Sequence, residues 1–213
     1  KAEENTQDSA DSNHGQLVGD VTYQPGHSGQ AFSTGIGKYI QVPHNNNLDM
    51  DQELTIEGWI YPKSYIGTGS ENIITKDVYA LKRDSSGTLI GQVLSSSGKQ
   101  DSISAPFTYL NSWHHVALTV TNTDLKLYVD GILVNSRVRT YQDGIGDNTN
   151  LLHIGADAGG TGNYFNGLID ELKIYNLALS SSEICEVASC DDGLVSLWKA
   201  DGNTVDSKDG NDG

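Results

Sequence analysis

The chain has 213 residues, with 13 Lys plus Arg against 28 Asp plus Glu and a formal net charge of −15. That balance excludes a binder of nucleic acid or of anionic membranes, because phosphate-rich partners require a basic surface. No run approaches the ~18 apolar residues of a membrane span, and Lys1-Ala2-Glu3-Glu4-Asn5 carries no signal-peptide pattern.

In chain order, residues 1–30 read as loop with an extended piece at Leu17–Tyr23, closed by the Pro25-Gly26 turn signal. Lys38–Val42 is a predicted strand ended by Pro43 and an Asn-rich loop. Leu54–Tyr61 alternates, with Leu54, Ile56 and Ile60 on one face and Thr55, Glu57, Trp59 and Tyr61 on the other. Asn72–Thr75, Tyr79–Arg83 and Leu89–Ser95 are further short strands. Val116, Leu118 and Val120, then Leu125, Leu127 and Val129, form two apolar faces. Asp130-Gly131 follows as a hairpin signal, because that pair accepts the positive φ angles of a type I′ turn. Leu151–Gly155 and Gly167–Tyr175 are the last strands, and Ser180 with Glu183 makes a capping box that starts a short helical turn before Cys185. Many short strands, Gly-rich turns (24 Gly against 4 Pro) and almost no helix indicate an all-β, two-sheet antiparallel sandwich or jelly roll.

The two ends match each other. Lys1, Ala2, Asn5, Thr6, Asp8, Ser9, Asp11, Asn13 and Gly15 recur as Lys199, Ala200, Asn203, Thr204, Asp206, Ser207, Asp209, Asn211 and Gly213, at one offset and without a gap. A period this long implies tandem whole domains rather than a solenoid. The expected division is a module over 1–190 that lacks its own first strand. Residues 191–213 are then the first strand (Gly193–Trp198) and loop of a following repeat, or a strand that fills the vacated slot. The two cysteines, Cys185 and Cys190, do not match a zinc spacing; they read as a small-loop disulfide or as two thiols.

Four blocks carry a family resemblance. Lys38–Pro43 followed by Leu54–Pro62 resembles the opening strands of a laminin-G-like module. Trp113-His114-His115-Val116-Ala117-Leu118 leading to Leu127–Gly131 resembles its central hairpin. Phe165–Asn176 with Ala178-Leu179-Ser180 is similar to its closing strand. The resemblance implies a concanavalin-A-like jelly roll of the pentraxin-related lectin class. It also implies sugar or glycoprotein binding, adhesion or spacing in secreted and cell-surface proteins, and calcium in many members.

Three chemistries follow for consideration. For calcium, strict alternation sets Asp170 on the core face with Leu168, Leu172 and Ile174, where a carboxylate needs a partner. The 8–15 loop offers Asp8, Asp11 and Asn13, and the later copy offers Asp206, Asp209 and Asn211; the alternative is that these are turn residues and that Asp170 accepts backbone N–H groups. For catalysis, paired carboxylates on one face are wanting. Asp170 and Glu171 alternate to opposite faces and Glu57 stands alone in its strand, so no enzyme is expected; a polysaccharide hydrolase or lyase is the weaker alternative. For ligand binding, the Gly155–Asn166 segment with Asp157, Asn163 and Tyr164 has the composition of a sugar-binding rim, and Tyr79 and Tyr141 are further stacking candidates. Trp59, Trp113 and Trp198 are assigned to structure. The leading reading is a non-catalytic module that binds a glycan or glycoprotein outside the cell; the second is a structural module that links neighbouring copies by strand exchange through Gly193–Trp198.

Overall fold

A computed structural model describes residues 5–10, 12–67 and 69–188. The strands, in order, are β1 (Gln16–Val18), β2 (Thr22–Pro25), β3 (Gln30–Thr34), β4 (Tyr39–Val42), β5 (Leu54–Pro62), β6 (Ser70–Thr75), β7 (Tyr79–Asp84), β8 (Thr88–Leu94), β9 (Gln100–Pro106), β10 (His114–Val120), β11 (Asp124–Val129), β12 (Ile132–Val138), β13 (Leu152–Ile154) and β14 (Gly167–Tyr175); one helix, α1 (Ser181–Ala188), follows. They form two seven-stranded sheets, β1-β4-β13-β6-β7-β8-β9 and β12-β11-β10-β5-β14-β3-β2. All pairings within the sheets are antiparallel. This is the two-layer sandwich that the alternation predicts.

The core lies between the sheets because each strand turns its alternate aliphatics inward. Leu54, Ile56 and Ile60 of β5, Val116, Leu118 and Val120 of β10, and Leu125 and Leu127 of β11 face Ile73, Ile74, Leu81, Leu89 and Val93 of the other sheet, all fully buried. The β11–β12 hairpin turns on Asp130 (φ 51°) and Gly131 (φ 75°), the pair read from the sequence. His114 Nδ1 lies 2.8 Å from Asp130 Oδ2, which places this histidine in the support of the hairpin. The capping box also forms: the Ser180 N–H donates to Glu183 Oε2 at 2.7 Å and the Glu183 N–H to Ser180 Oγ at 3.4 Å. The helix they start covers Ala117 and Tyr128 with Ile184. It is a full eight residues rather than a single turn. No helix among the described residues is long and apolar enough to cross a membrane.

One expectation is corrected. Asp170 does not face the core. A bulge interrupts β14: Asp170 pairs with Trp59 and Lys173 with Glu57, so three steps on β14 oppose two on β5. Glu171, the extra residue, has φ 48°. The bulge resets the alternation. Ile169, Leu172 and Ile174 pack on the core, while Asp170, Lys173 and Tyr175 share the outer face.

Candidate functional site: a polar groove on the first sheet

On the outer face of β6, β7 and β8, most cross-strand neighbours are polar or small, with Ile90 opposite Lys82 the exception. Thr75 pairs with Ala80 and Ala80 with Gln92; Asn72 pairs with Lys82. Lys82 Nζ donates to Gln92 Oε1 at 2.8 Å. Burial pushes the Lys82 pKa below the usual lysine value, as expected when an ammonium loses water. The Gly155–Asn166 loop arches over one side of this floor. Asp157 shapes it: Oδ1 accepts the Thr161 N–H at 2.8 Å and its own N–H donates to Gly162 O at 3.0 Å. The loop is tied to the sheet where the Asn72 N–H donates to Asn163 O at 2.8 Å. Gly160 has φ 63°, and a Cβ there would stand 2.4 Å from the Tyr39 hydroxyl, so the close approach of loop to Tyr39 requires glycine.

The result is a groove of about 360 Å³ whose polar groups include Asn72, Lys82, Gln92, Asp157 and Asn163. Beside it, Tyr39 and Tyr164 stack at 6.2 Å with 30° between ring planes, and the Tyr164 hydroxyl donates to Gly160 O at 3.1 Å. His153 lies against Tyr39. Burial lowers the His153 pKa, and the negative charges of Asp157 and Asp77 offset this in part. The neutral imidazole is thereby favoured behind the groove.

A buried ion pair supports the rim. Arg83 is fully buried, and its Nε donates to Glu71 Oε2 at 2.8 Å. One Nη donates to the carbonyl of Lys63 at 2.8 Å and to that of Asn166 at 3.4 Å. The guanidinium also lies 4.1 Å from the ring centroid of Tyr65 and 5.0 Å from that of Phe165. Glu71 Oε1 accepts the Ile66 N–H at 3.0 Å. A single fixed cation therefore holds both the 63–66 turn and the end of the 155–166 loop.

The sequence-derived candidates distribute unevenly. Asp157 and Asn163 line the groove and Tyr164 stands next to it. Tyr79 is a correction: it is fully buried and its hydroxyl donates to Leu48 O at 2.9 Å, so it cannot stack on a ligand. Tyr141 is exposed, with its backbone N–H on Asp101 Oδ2 at 3.0 Å, and is not part of the groove. Asn72, Lys82 and Gln92 were not legible as site residues. Their only signal is a polar side chain alternating with buried Ile73, Leu81 and Val93, which any solvent-facing strand shows.

The expected cation ligands Asp8 and Asp170 accept backbone N–H groups. Asp170 Oδ2 accepts the Ser28 N–H at 2.9 Å and Oδ1 the Glu171 N–H at 2.8 Å. Its pKa is nevertheless raised, because burial outweighs these bonds. Asp8 accepts the N–H groups of Ala10 and Asn13 at 2.9 and 3.3 Å. Asn13 Oδ1 is buried without a hydrogen-bond partner, one oxygen where calcium requires six to eight. Among the described residues no group of three or more His, Cys, Asp or Glu is placed to hold a metal. Asp8, Asn13 and Asp170 line one slot between the sheets. Asp11, Asp206, Asp209 and Asn211 lie outside the described residues. So does Cys190; Cys185 is disulfide-bonded.

The outer face of the second sheet carries the other concentration of chemical groups. Glu57 is fully buried, with Lys173 Nζ at 3.3 Å, the Tyr175 hydroxyl at 3.2 Å and His115 Nε2 at 3.6 Å. Burial acts to raise its pKa, but His115 and Lys173 outweigh that and the net shift is downward; the Tyr175 hydroxyl is pushed up to about 12, chiefly by burial and then by this carboxylate. Glu57 at 0% and Asp170 at 1% exposure cannot reach a polysaccharide as a catalytic pair. Trp59 on the same face is covered by His27, whose ring stacks on it at 3.5 Å and 7°. That indole face is not a vacant platform for a sugar, which leaves the groove on the first sheet as the better candidate.

Comparison with known proteins agrees with this architecture. A 30% identical segment of mouse usherin matches over 86 residues, 38% of this chain and 2% of usherin. The binding domain of botulinum neurotoxin serotype G superposes with a TM-score of 0.70 at 15% identity, over 92% of this chain and 51% of that one. Domain 4 of AbnA, an extracellular GH43 arabinanase from Geobacillus stearothermophilus solved in complex with arabinotriose, superposes with a TM-score of 0.70 at 20% identity, over 87% of this chain and 93% of that one. The family model for the concanavalin A-like lectin/glucanases superfamily, laminin G type, matches residues 33–185, and the chain belongs to that family.

Proposed function

We propose that this chain is a non-catalytic carbohydrate-binding module of a secreted or cell-surface protein, and that it binds its glycan in the groove beneath the Gly155–Asn166 loop. The observation that carries the reading is the convergence of amide, ammonium and carboxylate groups from three strands and one glycine-rich loop on one concavity of about 360 Å³. Sugars are recognised by such sets of fixed donors and acceptors, with an aromatic wall for the apolar face of the ring. Tyr39 and Tyr164 stack beside the groove without lining it. A module of the same fold has been solved with an arabino-oligosaccharide, which supports a glycan ligand and makes arabinan fragments a rational first probe.

The test is a glycan array that includes arabino-oligosaccharides, run on the full chain with and without EDTA and followed by calorimetry on any hit. Gln92→Ala and Asn163→Ala are expected to weaken the hit at least tenfold while leaving the melting temperature within a few degrees, and EDTA is expected to leave it unchanged. A hit that both variants bind as well as the parent would remove the groove from consideration. Release of reducing ends from the bound polysaccharide would remove the non-catalytic reading.

A further inference from the structure

One buried amine takes no part in the groove. Lys76 follows β6 directly, in the tight bend that leads into β7, where Asp77 takes φ 63°. The bend is closed by the backbone: the Lys76 N–H donates to Tyr79 O at 3.0 Å and the Val78 N–H to Lys76 O at 2.7 Å. The Lys76 side chain is 0% exposed. A lysine in such a place needs a partner for every proton it carries. Its Nζ donates to Asp49 Oδ1 at 2.6 Å, to Asn148 O at 2.7 Å and to Asn148 Oδ1 at 3.1 Å. All three protons thus go to two residues. Asp49 follows the 3-10 turn Asn46–Leu48, and Asn148 belongs to the segment between β12 and β13, which holds no strand or helix.

The Asn148 carboxamide is held as firmly as the amine. Its Nδ2 donates to Lys76 O at 2.9 Å, and its Oδ1 accepts the Asn150 N–H at 3.0 Å besides Nζ. These bonds fix which end of the carboxamide faces the amine. Leu48, Val78 and Tyr79, all buried, stand next to the trio in the chain, and the Tyr79 hydroxyl donates to Leu48 O at 2.9 Å. An amine fixed between a carboxylate and a carboxamide in a dry site has the parts for amide exchange. The amine is the nucleophile, the carboxylate carries protons, and donors on the carboxamide oxygen meet the charge of a tetrahedral intermediate. Fixed contact replaces the encounter that makes this reaction slow between free molecules.

We propose that Lys76 and Asn148 become joined by an amide bond between Nζ and Cγ, formed by the folded chain itself with Asp49 as proton carrier. Asp49 takes one proton from the ammonium, and the freed electron pair of Nζ attacks Cγ. The negative charge moves to Oδ1, against the Asn150 N–H. Asp49 then delivers its proton to Nδ2. The Cγ–Nδ2 bond breaks, its electron pair leaves with ammonia, and the carbonyl is restored. The second proton shed by Nζ departs on the ammonia as ammonium, and Asp49 ends ionised as it began. One C–N bond forms and one breaks, so no oxidant or other co-reactant is consumed. The bond fastens the strandless segment between β12 and β13 to the β6–β7 turn, and it stands apart from the glycan reading.

The test is the intact mass of the full chain after reduction of its disulfide, followed by tryptic mapping. The parent should be lighter than its sequence by one ammonia, about 17 Da. Trypsin needs a free lysine side chain, so cleavage after Lys76 should fail. The peptide 64–82 should then be recovered joined to the peptide 140–173. Lys76→Arg, Asn148→Ala and Asp49→Asn should each show the full mass expected for the variant. Asn148→Asp should lose water in place of ammonia and give the same linked product as the parent. A parent of full mass that is cut after Lys76 overturns the proposal, and this measurement needs no variant to fold. A missing ammonia that maps to a linear peptide overturns it too. An Asp49→Asn chain that links as completely as the parent overturns the role given to Asp49.

Discussion

Replacing Arg83 by Met tests the account of how the groove rim is held. Methionine matches much of the arginine stem, so little volume is lost and the change is chiefly electrostatic. Without the guanidinium, Glu71 Oε2 keeps no donor at a position 4% exposed, and the carbonyl of Lys63 loses its own, while that of Asn166 keeps the Lys63 N–H at 2.9 Å. Breaking a buried pair from one side costs ~3–5 kcal/mol, because a desolvated charge is left uncompensated. Removing both partners, as Arg83→Met with Glu71→Met, eliminates the stranded charge. What remains is the loss of hydrogen bonds at Ile66 N–H and Lys63 O, about 1–2 kcal/mol each. The double variant is therefore expected to be no less stable than Arg83→Met alone, with a coupling of at least ~2 kcal/mol between the sites. Urea unfolding of the full chain, followed by circular dichroism and fluorescence with a check that m is unchanged, measures all four corners of the cycle. An Arg83→Met variant within about 1 kcal/mol of the parent, or a double variant as unstable as the sum of the singles, would refute the claim that this cation organises the rim.

Two further predictions concern loops and acid. Gly160→Ala places a Cβ on the Tyr39 hydroxyl at a left-handed backbone position; it is expected to cost more than ~1 kcal/mol and to weaken glycan binding more than Gly159→Ala, compared by calorimetry on both variants. Asp101 is 1% exposed and accepts the N–H groups of Thr140 and Tyr141 at 2.9 and 3.0 Å. Burial raises its pKa, but these bonds and Arg139 bring the net value below the usual aspartate. The folded form thus binds fewer protons than the unfolded one. The stabilisation is present above pH ~4 and is lost as pH falls through the folded pKa. Asp101→Asn should be less stable than the parent at pH 7 and should show a flatter stability profile below pH 4; an unchanged acid slope would disprove the assignment.

The sequence already determines the layers of this protein. The alternation in β5 and β10, the Asp130-Gly131 turn, the Ser180/Glu183 cap and the order of the family blocks are local patterns, and each appears in the structure as read. They are legible because a period of two and a turn's φ angles are properties of adjacent residues. Strands β3 and β9 were not anticipated. Gln100-Asp101-Ser102-Ile103-Ser104-Ala105-Pro106 has little apolar signal and becomes a strand by pairing with β8. The bulge at Glu171 was also invisible, and it moved Asp170 from the core face to the outer face. Tyr79 and Arg83 look like surface residues by composition, yet both are fully buried, because Leu48 O and Glu71 complete them from elsewhere in the chain.

The groove belongs to the same class. Its floor comes from three strands, and its wall from a loop about 65 to 91 residues further along the chain. Composition could mark the loop as a rim, but only the sheet register could bring Asn72, Lys82 and Gln92 beneath it. Which residues turn inward is a matter of local periodicity; which outward groups share a concavity depends on pairing between distant segments, and only the tertiary structure decided that.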